Sequence, residues 1–168
     1  DIVSFANAKG ITLDIDGKIK KSNPKNSVKD LTEYALKQDY KKIEGHLIKL
    51  YLSGTPLTHI MDNYIEPVLV NIQKNLDDNK ISVAEEHIAR KIVSKSLGQF
   101  KLSITNTNKT YQKNILCLNL ENDIPDLPID MIQILLEDNG YSVHNCGSHT
   151  SIDNIKNLLS KKKYEAIF

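Results

Sequence analysis

The apolar spacing of this chain changes period near Asn114, and that change requires two differently built parts. Before it, apolar residues recur every three or four positions, which predicts amphipathic helices. After it, short apolar runs alternate with helical stretches, which predicts parallel strands joined by crossover helices.

Four helices are expected between Asn26 and Phe100. Ser27 can cap the first, with Val28, Leu31, Tyr34 and Ala35 on its apolar face, and Asp39 can cap the second, with Ile43, Leu47, Leu50 and Tyr51. Gly54 ends that helix, and Thr55-Pro56 opens a third. Its stripe is Leu57, Ile60, Met61, Tyr64, Ile65, Val68, Leu69, Ile72 and Leu76, with Pro67 expected to kink it or remove one hydrogen bond. Ser82 caps the fourth with Glu85 three residues on, and Ile88, Ile92, Val93 and Leu97 form its apolar face. Short connections make these an antiparallel four-helix bundle over residues 26–102.

Residues 103–113 are polar and read as a linker. Asn114 to Leu120 is suited to a buried parallel strand, Ile129 to Asp138 to a helix stopped at Asn139-Gly140, and YSVHNC to a second strand. Ser151 to Lys162 is a further helix leading into YEAIF, the opening of a strand, so residues 114–168 form a flavodoxin/Rossmann-like parallel sheet domain expected to be incomplete at its end. The fold class is thus α plus α/β. Residues 1–25 are expected to be the remnant of an upstream segment, and the chain an excerpt of a longer protein.

A net charge of +1 supplies no general attraction to nucleic acid or membrane, so any DNA contact must be local. No apolar run nears the roughly 18 residues needed to cross a bilayer, and a cytoplasmic location is expected. Cys117 and Cys146 lack zinc-ligand spacing and read as free thiols. No nucleophile elbow or Walker loop is present, and Glu85 and Glu86 are adjacent on one helix, so no acid–base pair arises from them and no enzyme is expected. In an open parallel sheet, ligands gather outside the carboxyl ends of the strands, which here means Glu121 to Pro128 and the loop around Gly147-Ser148-His149.

ALKQDY, IEPVL and ISVAEEH, followed by LLEDNGYSVHNCG, resemble in order the helical cap and Rossmann-like half of the cobalamin-binding module found in corrinoid proteins and light-sensing MerR-type regulators. The resemblance covers residues 26–168. FANAKGI and DGKIK add a likeness to the end of a MerR-like winged helix-turn-helix. The resemblance implies that Leu76, Val83, Glu86 and His87 meet the upper face of a corrin, and that Asp126, Leu127 and Gly147 belong to the opposite wall. Leu76 stands where light-sensing members carry a Trp. Pro125 stands where the family places its lower axial His, and proline has no metal-binding atom. His144 and His149 lie on or near that sheet edge and read as structural, whereas His87 is a candidate upper ligand for cobalt or for haem iron.

The function this implies is the sensor region of a cytoplasmic transcriptional regulator with a diverged cofactor site. Cobalamin, haem or no cofactor are its alternatives, DNA its partner through a domain mostly absent here, and a homo-oligomer its expected state. The competing functions are a corrinoid carrier of a methyltransferase, against which Pro125 counts, and a ligand-free interaction module.

Overall fold

The computed structural model describes residues 24–104, 113–119, 127–148 and 150–168. The chain divides into two compact units, residues 1–104 and 105–168. The expectations for residues 1–23, for most of the 103–113 linker and for Pro125, Asp126 and His149 lie outside the described residues.

The first unit is helical, with α1 (Pro24–Leu36), α2 (Tyr40–Leu52), α3 (Leu57–Ile60), a π-helical turn (Met61–Ile65), α4 (Glu66–Asp77) and α5 (Val83–Ile104). α1 begins before the expected cap: Pro24 occupies its first position, where no N–H is required, and Ser27 is buried within the helix instead of capping it. Asp39 does cap α2, accepting from the Lys42 N–H at 3.2 Å. Pro67 falls in the first turn of α4, directly after the π turn in which the Glu66 N–H reaches the Met61 carbonyl. The expected break at Pro67 is therefore a widened turn just before it, a recurrent way for a helix to absorb an extra residue.

Ile43, Leu47 and Ile48 from α2, Ile60, Met61, Ile65, Val68 and Ile72 from the third stretch, and Val93, Leu97 and Phe100 from α5 are almost fully buried. Tyr51 meets Phe100 edge to face, with ring centroids 6.0 Å apart. Polar side chains tie the helices as well: Ser96 donates to the Ile92 carbonyl and reaches the Tyr40 carbonyl, and Asn71 donates to the Thr32 hydroxyl. Ile88 departs from expectation, at 43% exposure. The buried face of α5 passes instead through Glu86, Ala89, Val93, Leu97 and Phe100, and the helix continues to Ile104, where Ser103 donates to Glu44.

The second unit holds β1 (Lys113–Cys117), α6 (Leu127–Asp138), β2 (Tyr141–Asn145), α7 (Ile152–Lys161) and β3 (Ala166–Ile167). Among the described residues the sheet is three-stranded and parallel in the order β2-β1-β3, with Ile115 opposite both Val143 and Ala166. Ile115 and Cys117 pack with Ile129, Ile132 and Leu136 of α6 and with Tyr141 and Val143 of β2. α6 starts at Leu127, earlier than expected, because Leu127 joins the buried set. It stops at Gly140, whose φ of +86° is a left-handed conformation that glycine adopts without a side-chain clash. α7 is amphipathic, but none of its residues is buried.

Candidate functional site

The start of α5 is fixed by a reciprocal cap. Glu85 Oε2 accepts from the Ser82 N–H at 2.7 Å and from the Ser82 hydroxyl at 2.8 Å, while the Glu85 N–H donates back to that hydroxyl at 3.3 Å. Those bonds hold the Glu85 carboxyl below the usual glutamate range, the backbone donor contributing most. The cap sets the rotation of the residues that follow. Each successive helical residue turns by about 100°, so Val83 and His87 share one face while Glu86 turns to another.

Val83 is 58% exposed, and the His87 side chain is 72% exposed one turn later. The Glu86 side chain is only 6% exposed. Arg90 Nε donates to Glu86 Oε1, and Arg90 Nη2 donates to Gln73 Oε1 of α4 at 3.2 Å. Glu86 Oε2 stands 3.7 Å from His87 Nε2. Of the two neighbours that the resemblance places at the corrin, His87 is open to solvent and Glu86 is held beneath the surface. Leu76 is half-buried near the end of α4. Arg90 and Gln73 were not singled out in the sequence, although the i, i+4 spacing of Glu86 and Arg90 is a readable pairing signal.

At the carboxyl edge of the sheet, the Asn119 N–H donates to the Gly147 carbonyl at 3.0 Å, and the Thr150 N–H to the Asn119 carbonyl at 3.3 Å. Asn145, the last residue of β2, donates to Asp130 Oδ1 at 3.2 Å and to Gln133 Oε1 at 3.1 Å, and its own Oδ1 accepts from the Gly147 N–H at 2.8 Å. Gly147 has a φ of +66°, a left-handed turn suited to glycine. Its N–H and carbonyl are both engaged within the unit, so its backbone braces the loop instead of offering a free donor. Leu127 is likewise committed to the core. The order β2-β1-β3 puts a topological switch point between β1 and β3, the place where open parallel sheets take ligands.

His144 is structural. Its Nε2 faces Lys162 Nζ at 2.9 Å and its Nδ1 faces the Tyr164 hydroxyl at 2.8 Å. An ammonium has no lone pair, so Nε2 accepts, Nδ1 carries the proton, and neither nitrogen remains for a metal. Among the described residues no group of three or more His, Cys, Asp or Glu side chains could hold a metal ion. The start of α5 thus presents an apolar Val83 and an accessible imidazole on one exposed helical face. Pro125, which the resemblance puts at the position of a metal-binding His, has no metal-binding atom. No described helix is long and apolar enough to cross a membrane.

No protein-family model matches the chain, and no curated protein matches it in sequence. The fold is similar to chains in two solved structures. One is the methanol:cobalamin methyltransferase complex MtaBC from Methanosarcina barkeri, at 14% identity and a TM-score of 0.44, over 94% of this chain and 61% of that one. The other is a novel cobalamin-binding protein from Desulfitobacterium hafniense DCB-2, at 13% identity and a TM-score of 0.38, over 83% of this chain and 66% of that one. This chain therefore spans less than two thirds of the length of either.

Proposed function

We propose that this chain is the ligand-sensing region of a cytoplasmic transcriptional regulator, not an enzyme, and that its ligand is a corrinoid-type macrocycle. The observation that carries the reading is the exposed pair Val83 and His87, one turn apart at the capped start of α5, inside the heptapeptide ISVAEEH. An apolar residue and an imidazole on one face suit a flat ligand with an apolar ring and a central metal. In this reading the helical unit is an antiparallel four-helix bundle. The MerR-like pieces in residues 1–25 support a regulator, with DNA bound through an attached domain and the chain acting as a homo-oligomer.

When bound, a corrinoid would supply a cobalt able to take an imidazole ligand and a strong visible chromophore. Val83 would pack on the ring, His87 would face the metal, and Leu76 would add apolar cover without aromatic stacking. The experiment is incubation of the chain with adenosylcobalamin, methylcobalamin and, separately, haem, followed by gel filtration and an absorbance spectrum of the protein peak. A corrin band that co-elutes with the protein and is lost in His87→Ala is expected. Retention of haem alone would replace the corrinoid, and retention of none would leave an interaction module whose ancestral site no longer binds a cofactor.

A further inference from the structure

Two exposed helical stripes of the first unit carry opposite charges at matching intervals. Through the π turn into α4, Asp62, Glu66 and Val70 follow at four-residue steps, and all three are exposed, Val70 at 60%. On α5, read towards its start, Lys95, Lys91 and Ile88 follow at steps of four and three residues, again all exposed, Ile88 at 43%. Residues three or four apart share a helical face, so each set is a stripe about 10 to 12 Å long, with two like charges and then an aliphatic side chain. Like charges at that spacing repel, and neither Asp62 nor Glu66 has an ion-pair partner among the described residues. Lys95 Nζ rests 3.7 Å from the centre of the Tyr40 ring, a contact that fixes one member of the basic stripe. A single exposed aliphatic residue needs no explanation. Here each of two occupies the same place beside a pair of like charges, and the two orders run in opposite directions along the chain.

We propose that a second copy of this chain docks on this surface, the acidic stripe of one copy lying antiparallel on the basic stripe of the other. In that register Asp62 meets Lys95, Glu66 meets Lys91 and Val70 meets Ile88, so both ion pairs and the apolar contact form together. A parallel register sets Asp62 against Ile88 and Val70 against Lys95, and only Glu66 and Lys91 match. Charge complementarity here selects partner and register more than it adds strength. One helix pair buries less than the roughly 800 Å² per partner of a standard interface, so the association is weak, reversible and salt-sensitive. The inference gives a surface to the homo-oligomer of the proposed function and takes nothing from its ligand.

The test is sedimentation equilibrium of the full, ligand-free chain at increasing concentration, in low and in high salt. A dimer that weakens as salt rises is expected. Two double variants reverse one stripe each: Asp62→Lys with Glu66→Lys, and Lys91→Glu with Lys95→Glu. All four positions are exposed, and circular dichroism checks that both variants fold. Each variant alone should raise the dimer dissociation constant at least about 10-fold, because like charges then face each other. Mixed in equal amounts, the two should associate as the wild type does, since every reversed stripe then meets its opposite. If Lys95→Glu disturbs folding through its Tyr40 contact, Lys91→Glu and Glu66→Lys form the complementary pair instead. A wild type that stays monomeric, a dimer that the reversals leave unchanged, or a mixture that does not recover overturns the proposal. Any of these leaves the corrinoid reading untouched, and failure to take up a corrinoid leaves this surface standing.

Discussion

Ser82 and Glu85 satisfy each other across the first turn of α5, the serine donating twice to the carboxylate and accepting once from the glutamate N–H. Removing a serine cap usually costs about 1 kcal/mol, so Ser82→Ala should lower unfolding stability by about that amount in urea titrations. The same bonds hold the Glu85 carboxyl below its ordinary range, mainly through the Ser82 N–H. The folded value lies below the unfolded one, so the contribution is present above the unfolded value and lost as pH falls through the folded one. Acid titration should therefore fray the start of α5, and Glu85→Gln should flatten that response in amide exchange of Val83 to Glu86.

His46 on α2 acts in a different pH range. Among the described residues its buried Nε2 has no hydrogen-bond partner, and burial, then the Lys49 ammonium, lowers its proton affinity, while Asp30 acts the other way. The unfolded chain then binds the proton more readily than the folded one as pH falls through the ordinary histidine value of about 6.5. Stability should decline below that pH and recover above it. His46→Phe should reduce this slope in thermal melts; an unchanged slope would assign the loss to other groups.

The two thiols should differ sharply in reactivity. Cys117 is buried in β1, and burial raises its thiol above the ordinary cysteine range, whereas Cys146 is exposed just beyond β2. Brief alkylation of native protein at neutral pH should label Cys146 and spare Cys117, with both labelled in denaturant. Mass spectrometry of the peptides reads the result directly.

Asn145 joins β2, α6 and the Gly147 loop through its single amide group. Asn145→Leu removes all three bonds and leaves the Gly147 N–H without its side-chain acceptor, a loss of about 1–3 kcal/mol. Hydrogen exchange at Gly147 should accelerate more than exchange within β1. Equal acceleration throughout the sheet would indicate global destabilisation instead of a loosened edge.

The long periodic stretches were the most legible part of the sequence, because apolar residues at helical spacing have few other uses. The caps at Asp39 and Ser82 were readable for the same reason, as a short polar side chain before a periodic run has a defined partner. Ser27 misled because Pro24 already starts the helix, and Ser27 is then drawn into the interior. Nothing in the composition of Met61–Ile65 announces a π turn beyond the proline that follows. At the start of α5, the burial of Glu86 beside an exposed His87 depends on helical rotation and on Arg90 being near enough to hold the carboxylate, which the adjacent positions in the sequence do not express. The brace at Asn145 joins residues from three segments of the chain, a convergence that no local pattern encodes.

The π turn at Met61–Ile65 also bears on how this chain can change length over evolutionary time. A helix interior ordinarily rejects insertions and deletions, because one residue more or less rotates everything downstream by about 100°. A widened turn has already taken up such a residue. Losing one position between Met61 and Ile65 should therefore tighten that turn into ordinary α-helix and leave Val68 and Ile72 facing inward, with Gln73 still opposite Arg90. The same loss farther along α4 would swing Gln73 away from its partner, so homologues one residue shorter in this helix should carry the gap before Glu66.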